Sequence, residues 1–399
     1  VALLFYGYAT GIFSSRKLEE ATYDSVAFRY LAGNTHPDHD TIAEFRKRWL
    51  NQLKPLFVQI LVLAQAIGLL KLGRVSLDGT KVKANASKHS ALSWGHIEKI
   101  EEQLRQEVEE LMRLAEEADG AEEASQVDIP AELARREERL KRLEEAKQKI
   151  AERAAEREAA ERAEYEAKVA KREAQRKEGK KPKGKDPKPP EGGIRDTDQI
   201  NLTDEESRIM PVSGGGFEQA YNAQAVVDNE SLLIVAAHVT QNANDKRELE
   251  PALAALRDLP ESLERPDELL ADNGYFSEPN VELCVAEEIT PYIAVGREAH
   301  HLPLKERFQK PEPPGEGANA VEQMKHRLKT PAGRAIYGER KATPEPVFGI
   351  IKSVLGFRQF LLRGREAANA EWDLVSIGWN LKRMHQLLCT RKALSTLSA

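Results

Sequence analysis

The period of hydrophobic positions changes several times along the chain, and each change marks a new element. Leu3, Leu4, Phe5 and Tyr6 open an apolar segment. Lys17 to Leu31 is amphipathic at helical spacing, and Gly33 follows as a stop. After the polar turn Thr35-His36-Pro37-Asp38-His39-Asp40, Thr41 and Glu44 have capping-box spacing, and Ile42, Phe45 and Trp49 recur on one helical face. Pro55 is expected to kink or split the next helical segment. Leu56 to Leu70 then reads as an apolar helix ending at Gly73. The spacing predicts an all-helical domain over 1–73, helix-turn-helix-like, in which Arg46, Lys47 and Arg48 read as a solvated face. Arg74 to Lys83 alternates in polarity between turn formers and predicts a hairpin or strand containing Asp78.

From Ile97 to about Ala174 the chain turns to Glu, Arg, Lys, Ala and Leu. Ile97, Ile100, Leu104, Val108 and Leu111 step by three or four, as do Leu133, Leu140, Leu143 and Ile150. Asp119-Gly120 and Pro130 bracket a break, so a helical hairpin or antiparallel coiled coil is expected. Past Ala151 bulky apolar residues thin out, as in a lone charged helix. Arg176 to Pro190 reads as a Lys- and Pro-rich disordered linker. Period two returns at Tyr221 to Asp228 and at Leu232 to Thr240, joined at Asn229-Glu230. Lys246 to Leu259 predicts a helix, Glu268 to Asp272 a short buried strand ending at Asn273-Gly274, Glu282 to Glu288 a helix, and Thr290 to Val295 a strand. This order is an α/β pattern with a mixed sheet. Residues 304–335 read as polar and Pro/Gly-rich. Pro346 to Phe360 reads as a helix with Glu345 at its mouth, and Glu371 to Leu388 as a last amphipathic helix.

Composition narrows the class. The 399 residues are 41% hydrophobic but 31% charged and only 6% aromatic, as expected for globular domains carrying one long charged stretch. Cys284 and Cys389 are the two cysteines, which excludes a disulfide scaffold and a cysteine zinc site. The apolar runs are too short to span a bilayer, and no secretion signal is read, so a cytoplasmic setting is expected. The chain opens at Val1 in mid-pattern, and upstream residues are expected to be missing. Net charge is −6, yet residues 300–399 hold 17 Lys+Arg against 9 Asp+Glu, a basic tail able to meet a polyanion.

Three acids stand out: Asp78 in a strand, Asp272 at a strand's end, and Glu345 at a helix start. Each alone is as readily a turn former or cap. Together at the carboxyl ends of strands they would repel one another unless divalent cations neutralised them. Oxygen ligands suit Mg²⁺ or Mn²⁺, and two such ions can activate a water and stabilise the leaving oxygen of a phosphodiester. Gly214-Gly215-Gly216 lacks the partners of a phosphate loop and reads as a turn. His300 and His301 read as surface residues, and Asp204, Asp228 and Asp245 as turn formers, with Asp245 a spare acid near the core.

Long segments in one order resemble a known family. SSRKLEEATYDSVAFRYLAGNTHPDHDTIAEFR (14–46), LDGTKVKANASKH (77–89), DEESRIM (204–210), YNAQAVVD (221–228), LLADNGYFS (269–277), YGERKATPEPVFGIIKSVLGFRQFLLRG (337–364) and EWDLVSIGWNLKRM (371–384) resemble the bacterial insertion-sequence transposases with an RNase H-like core and a DDE triad. The resemblance implies an RNase H-like mixed sheet flanked by helices and interrupted by the helical insertion. It divides the chain into an N-terminal helical DNA-binding and assembly domain (1–73), the first part of the core (74–96), the coiled-coil insertion and linker (97–195), the rest of the core (196–365) and a terminal helix and tail (366–399). It implies Asp78, Asp272 and Glu345 as catalytic, metal-binding acids holding two Mg²⁺ or Mn²⁺ ions. Tyr337, Arg340 and Lys352 form the signature around the Glu. The family's usual spacing puts three residues between Arg and Glu; here four intervene, so Lys341 is an alternative to Arg340. Glu345 and Lys352 are seven apart, one helix face, so both can point toward one phosphate. Arg358, Arg363 and Arg365 extend a DNA-binding surface. The implied activity is DNA transposition: cleavage at element ends, then 3′-OH attack on target DNA, by a homodimer or higher oligomer on DNA at the bacterial nucleoid. A nuclease without strand transfer, or an inactive DNA-binding derivative, are the alternatives.

Overall fold

The structure, a computed structural model, describes residues 1–49, 52–119, 128–177, 179, 182, 184–212, 214–296, 311–315 and 317–397. The break at Gly120, His300-His301 and part of the Lys/Pro linker lie outside them. The described chain forms two units, residues 1–85 with 207–399, and residues 86–206.

The first unit is built on strand β1, Arg74–Lys83, which runs unbroken through Gly79. Its remaining strands are β4 (Arg208–Pro211), β5 (Phe217–Asp228), β6 (Ile234–Thr240), β7 (Glu268–Ala271) and β8 (Thr290–Ile293); β2 (Ala91–Ser93) and β3 (Gln199–Asn201) belong to the second unit. β5 lies antiparallel to β1 on one side and pairs β6 and β4 along its far edge. β7 and then β8 continue parallel on the other side of β1. The order β6-β5-β1-β7-β8, antiparallel on one flank and parallel on the other, is the expected RNase H-like mixed sheet. β5 is buried along nearly its whole length, as expected of a central strand packed against helices. Its polar residues Gln219, Asn222, Gln224 and Asp228 are buried with the rest, Asn222 and Gln224 fully.

Five N-terminal helices belong to the same unit: α1 (Ala2–Thr10), α2 (Ser15–Asp24), α3 (Val26–Leu31), α4 (His39–Arg48) and α5 (Leu53–Ala66). The single helix expected from Lys17 to Leu31 is two, because Ser25 is extended (φ −107°, ψ 123°). α4 starts two residues before the predicted Thr41 cap; Asp38 accepts from the Asp40 N–H instead. Pro55 does not split α5, since it falls in the first turn, where no N–H bond is lost. The helices are joined to the last helix, α13 (Arg365–Leu397), by close packing. A Cβ on Gly378 would meet the Tyr8 backbone carbon at 2.8 Å. Buried Glu371 receives the Tyr8 hydroxyl at 3.0 Å and the amides of Leu361 and Leu362, while Arg46 donates to Tyr8 Oη and the Phe13 carbonyl.

Between β6 and β8 lie helices α8 (Leu249–Arg257) and α9 (Glu278–Ala286). Two more, α10 (Ala320–Lys329) and α11 (Pro331–Gly338), occupy a stretch expected to be irregular. Asn319 and Glu322 cap α10 reciprocally, and Thr330 caps α11 ahead of Pro331. The expected helix from Pro346 to Phe360 is shorter. α12 (Pro344–Gly349) passes into a π-helical turn, Ile350–Val354, and Gly356 at φ 85° ends it.

The second unit holds the predicted helical hairpin, α6 (Trp94–Asp119) and α7 (Ile129–Lys177). Ile97 and Leu104 pack against Leu143, Ala146 and Ile150 at its base, with Ile200. β2 (Ala91–Ser93) and β3 (Gln199–Asn201) pair antiparallel and close the insertion by holding its ends together. α7 continues past Ala151 as a charged helix, as expected, tied to the return chain by ion pairs such as Arg157–Asp198 at 2.5 Å.

Candidate active site

Parallel pairing of β1 with β7 sets the site. Leu77 lies opposite Ala271, so the next residue on each strand, Asp78 and Asp272, stand side by side at the carboxyl end of β7. There the strand ends because Asp272 turns the chain, its Oδ1 accepting from the Gly274 N–H at 2.7 Å. Asp78 keeps its backbone in the ladder opposite Ala225 of β5, and its Oδ1 accepts from the Gly79 N–H at 2.8 Å.

The third acid arrives from the far end of the chain. Glu339 ends α11 by accepting two bonds from the Arg74 guanidinium, at 2.7 and 2.9 Å, which pins a 3₁₀ turn, Glu339–Ala342, against the start of β1. Arg340, next in that turn, puts one guanidinium nitrogen 3.3 Å from Asp78 Oδ2 and another 3.5 Å from Glu345 Oε1. The tight turn and the bend at Thr343 (φ −111°, ψ −78°) absorb the extra residue that made its spacing irregular. Lys341 points outward and is exposed. Tyr337 is half-buried beside Arg340, hydrogen-bonded to it, and its hydroxyl is pushed up chiefly by burial.

Electrostatics mark the cluster as short of positive charge. Burial raises the Asp78 carboxyl to about 6; the Gly79 amide and Arg340 oppose this, while Asp272 and Asp245 add to it. A guanidinium alone therefore leaves the buried carboxylate uncompensated. Hard oxygen donors around such a deficit fit a divalent cation. Among the described residues, the group of three His, Cys, Asp or Glu side chains whose ligand atoms all lie within 4.8 Å is Glu19, Asp38 and His39, where a 2.7 Å His39–Glu19 pair explains the proximity. The triad acids spread wider, around Arg340.

Lys352 lies in the π-helical turn, and its Nζ donates to the Lys81 carbonyl of β1 at 2.6 Å. Burial, with Lys81 and Arg358 nearby, lowers it to about 8. Arg358 donates to the Lys352 carbonyl and Arg363 to the Asn85 carbonyl, both at the exposed surface; Arg365 opens α13. Behind Gly79 sits Asp245, read from the sequence as a turn former and a spare acid near the core. Asp245 Oδ1 accepts from Asn222 Nδ2 and Gln224 Nε2, both at 2.7 Å. A signal for it exists: two amides at alternate positions in the middle of a central strand must find buried partners.

With the acids placed on adjacent strands, comparison with known families is decisive. The family described as "Transposase DDE domain" matches residues 189–381, and "Transposase domain (DUF772)" matches residues 1–48. The chain belongs to the insertion-sequence DDE transposases. The first match spans Asp272 and Glu345 but not Asp78, which precedes the helical insertion. Comparison with curated proteins and with solved structures finds no match. Members of the family act on DNA and use divalent cations. Among the described residues, no helix is long and apolar enough to cross a membrane.

Proposed function

We propose that this transposase cuts DNA at the ends of an insertion sequence and joins the freed ends to target DNA, with Asp78, Asp272 and Glu345 as its catalytic acids. The observation that carries the reading is the approach of Arg340 to both Asp78 and Glu345, with Asp272 beside Asp78 in the β1–β7 register. Water attacks the scissile phosphorus, the P–O3′ bond breaks, and the element keeps a 3′-OH. That hydroxyl then attacks a target phosphodiester in line, forming a new P–O bond and releasing a target 3′-OH. The three carboxylates would hold two Mg²⁺ or Mn²⁺ ions, which when bound supply charge stabilisation to attacking and leaving oxygens.

The chain's own cations have distinct tasks in this reading. Arg340, half-buried and aimed at the acids, meets the non-bridging oxygens of the phosphate, and Tyr337 holds its guanidinium. Lys352, docked on β1, gains proton affinity when a phosphate comes near, which reverses the effect of its burial. Lys341, Arg358, Arg363 and Arg365 contact the flanking backbone. The helices of residues 1–73 recognise the element end, and two or more copies assemble on DNA because two ends must be joined. The setting is the cytoplasm, at the nucleoid. Incubation with a labelled terminal fragment and a target plasmid tests this. Joined products in Mg²⁺, absent for Asp272→Asn, are expected; cuts without joining favour a nuclease, and joining by Asp272→Asn overturns the site.

A further inference from the structure

Asp245 stands between the two segments that carry Asp78 and Asp272. A Cβ on Gly79, the neighbour of Asp78, would meet Asp245 Oδ1 at 2.8 Å and Gln224 Nε2 at 2.2 Å. A Cβ on Gly274, two residues after Asp272, would lie 3.7 Å from Asp245 Oδ2. Neither glycine has a left-handed φ; at Gly79 the missing side chain makes room for the carboxylate and its amide partners. Lys81 Nζ, on the same face of β1, is 3.5 Å from Oδ1.

The amides that grip Asp245 are themselves aimed. Gln224, fully buried, donates to Asp245 and accepts at Oε1 from the Tyr275 hydroxyl. Asn222, also fully buried, donates to Asp245 and to the Asn242 carbonyl at 3.0 Å, and its Oδ1 has no partner. Tyr275 closes the 3₁₀ turn that Asp272 opens. The relay Tyr275–Gln224–Asp245 thus ties the Asp272 turn to β5. Asn280 doubles the tie, donating to the Tyr275 carbonyl at 2.7 Å and the Lys246 carbonyl at 2.8 Å. Without an acceptor at 245 the Gln224 amide loses its reason to present Oε1 to Tyr275, and of the side chains that tie the turn to the rest of the unit Asn280 keeps its bond.

We infer that Asp245 is a positioning residue for cutting and joining, fixing through Gln224 and Tyr275 the place of Asp272 against Asp78. The inference rests on the proposed roles of those two acids. Its test uses the full chain, with single-turnover cleavage of a labelled element end and Mn²⁺ binding followed by electron paramagnetic resonance. Asp245→Ala and Tyr275→Phe are each expected to slow cleavage and weaken Mn²⁺ binding about tenfold or more. The double variant is expected to be no worse than either, because both break one relay. Asp245→Asn, whose carbonyl oxygen accepts the same two bonds, is expected to stay within about threefold of the parent. Asp245→Asn as slow as Asp245→Ala overturns the inference in favour of a charge or ligand role. Tyr275→Phe at the parental rate, or additive losses, overturn it as well. Should Asp245→Ala fail to fold, Tyr275→Phe and Asp245→Asn carry the test. Parental cleavage by Asp272→Asn would instead strike the proposed function, whereas inactive Asp272→Asn beside unaffected Tyr275→Phe would strike only the role of Asp245.

Discussion

Asp78→Asn should make the cation-free protein more stable while removing its activity. The Asp78 side chain is 17% exposed and its carboxyl is raised from 3.8 to about 6, burial being the largest cause. A raised folded-state value means that the folded protein binds the extra proton between those two values. The contribution of Asp78 to stability is therefore full below about 3.8, falls as pH rises, and reaches its minimum above about 6. At about 1.4 kcal/mol per pH unit, the gap corresponds to a penalty of about 3 kcal/mol at pH 7.5. Loss of the 3.3 Å Arg340 contact subtracts from the gain, so about 3 kcal/mol is the ceiling for Asp78→Asn. Urea unfolding in EDTA at pH 7.5 and near pH 4 measures it. The variant should be more stable at the higher pH and match the parent at the lower, and added Mg²⁺ should stabilise the parent more. A variant less stable than the parent at pH 7.5, or a difference independent of pH, would refute the electrostatic reasoning.

The same geometry gives three further outcomes. Gly79→Ala should cost about 1–3 kcal/mol and abolish cleavage, because the new methyl displaces Gln224 and Asp245; a folded, fully active variant in the same assays would show that the space behind β1 is not needed. Arg340→Ala should lower single-turnover cleavage about a hundredfold, while Lys341→Ala, exposed and turned away, stays within about fivefold. Asp373, buried at 3% exposure on α13, is raised to about 7, so Asp373→Asn should gain up to about 4 kcal/mol above pH 7 and nothing near pH 4, read from unfolding at the two pH values.

What the sequence made legible is what local pattern controls. β1 and β5 announced themselves by alternation, the helical hairpin by its three-and-four stepping, and the strand before Asp272 by a short apolar run closed at Asn273-Gly274. α10 and α11 lie in a stretch read only as polar and Pro/Gly-rich, although Asn319 with Glu322 and Thr330 with Pro331 are start signals. The π-helical turn around Lys352 has no local signature in the sequence, where the pattern reads as one helix from Pro346 to Phe360. Arg340 looked one residue out of place against the family's usual spacing to the Glu, and the 3₁₀ turn that brings it to Asp78 and Glu345 has no signature in that spacing. Asp245 was legible as a spare acid near the core, but its partners were not. Its neighbours come from β5 and from the turn after β7, and only the register of the sheet brings them together.

The central claim is that three acids from three elements form one cation site. Mn²⁺ titration of the parent, Asp78→Asn, Asp272→Asn and Glu345→Gln, each in the Glu19→Gln background to silence the N-terminal group, measures it directly. Each substitution should weaken binding about tenfold or more while the fold persists. Undiminished Mn²⁺ binding in any one of the three would contradict the shared site.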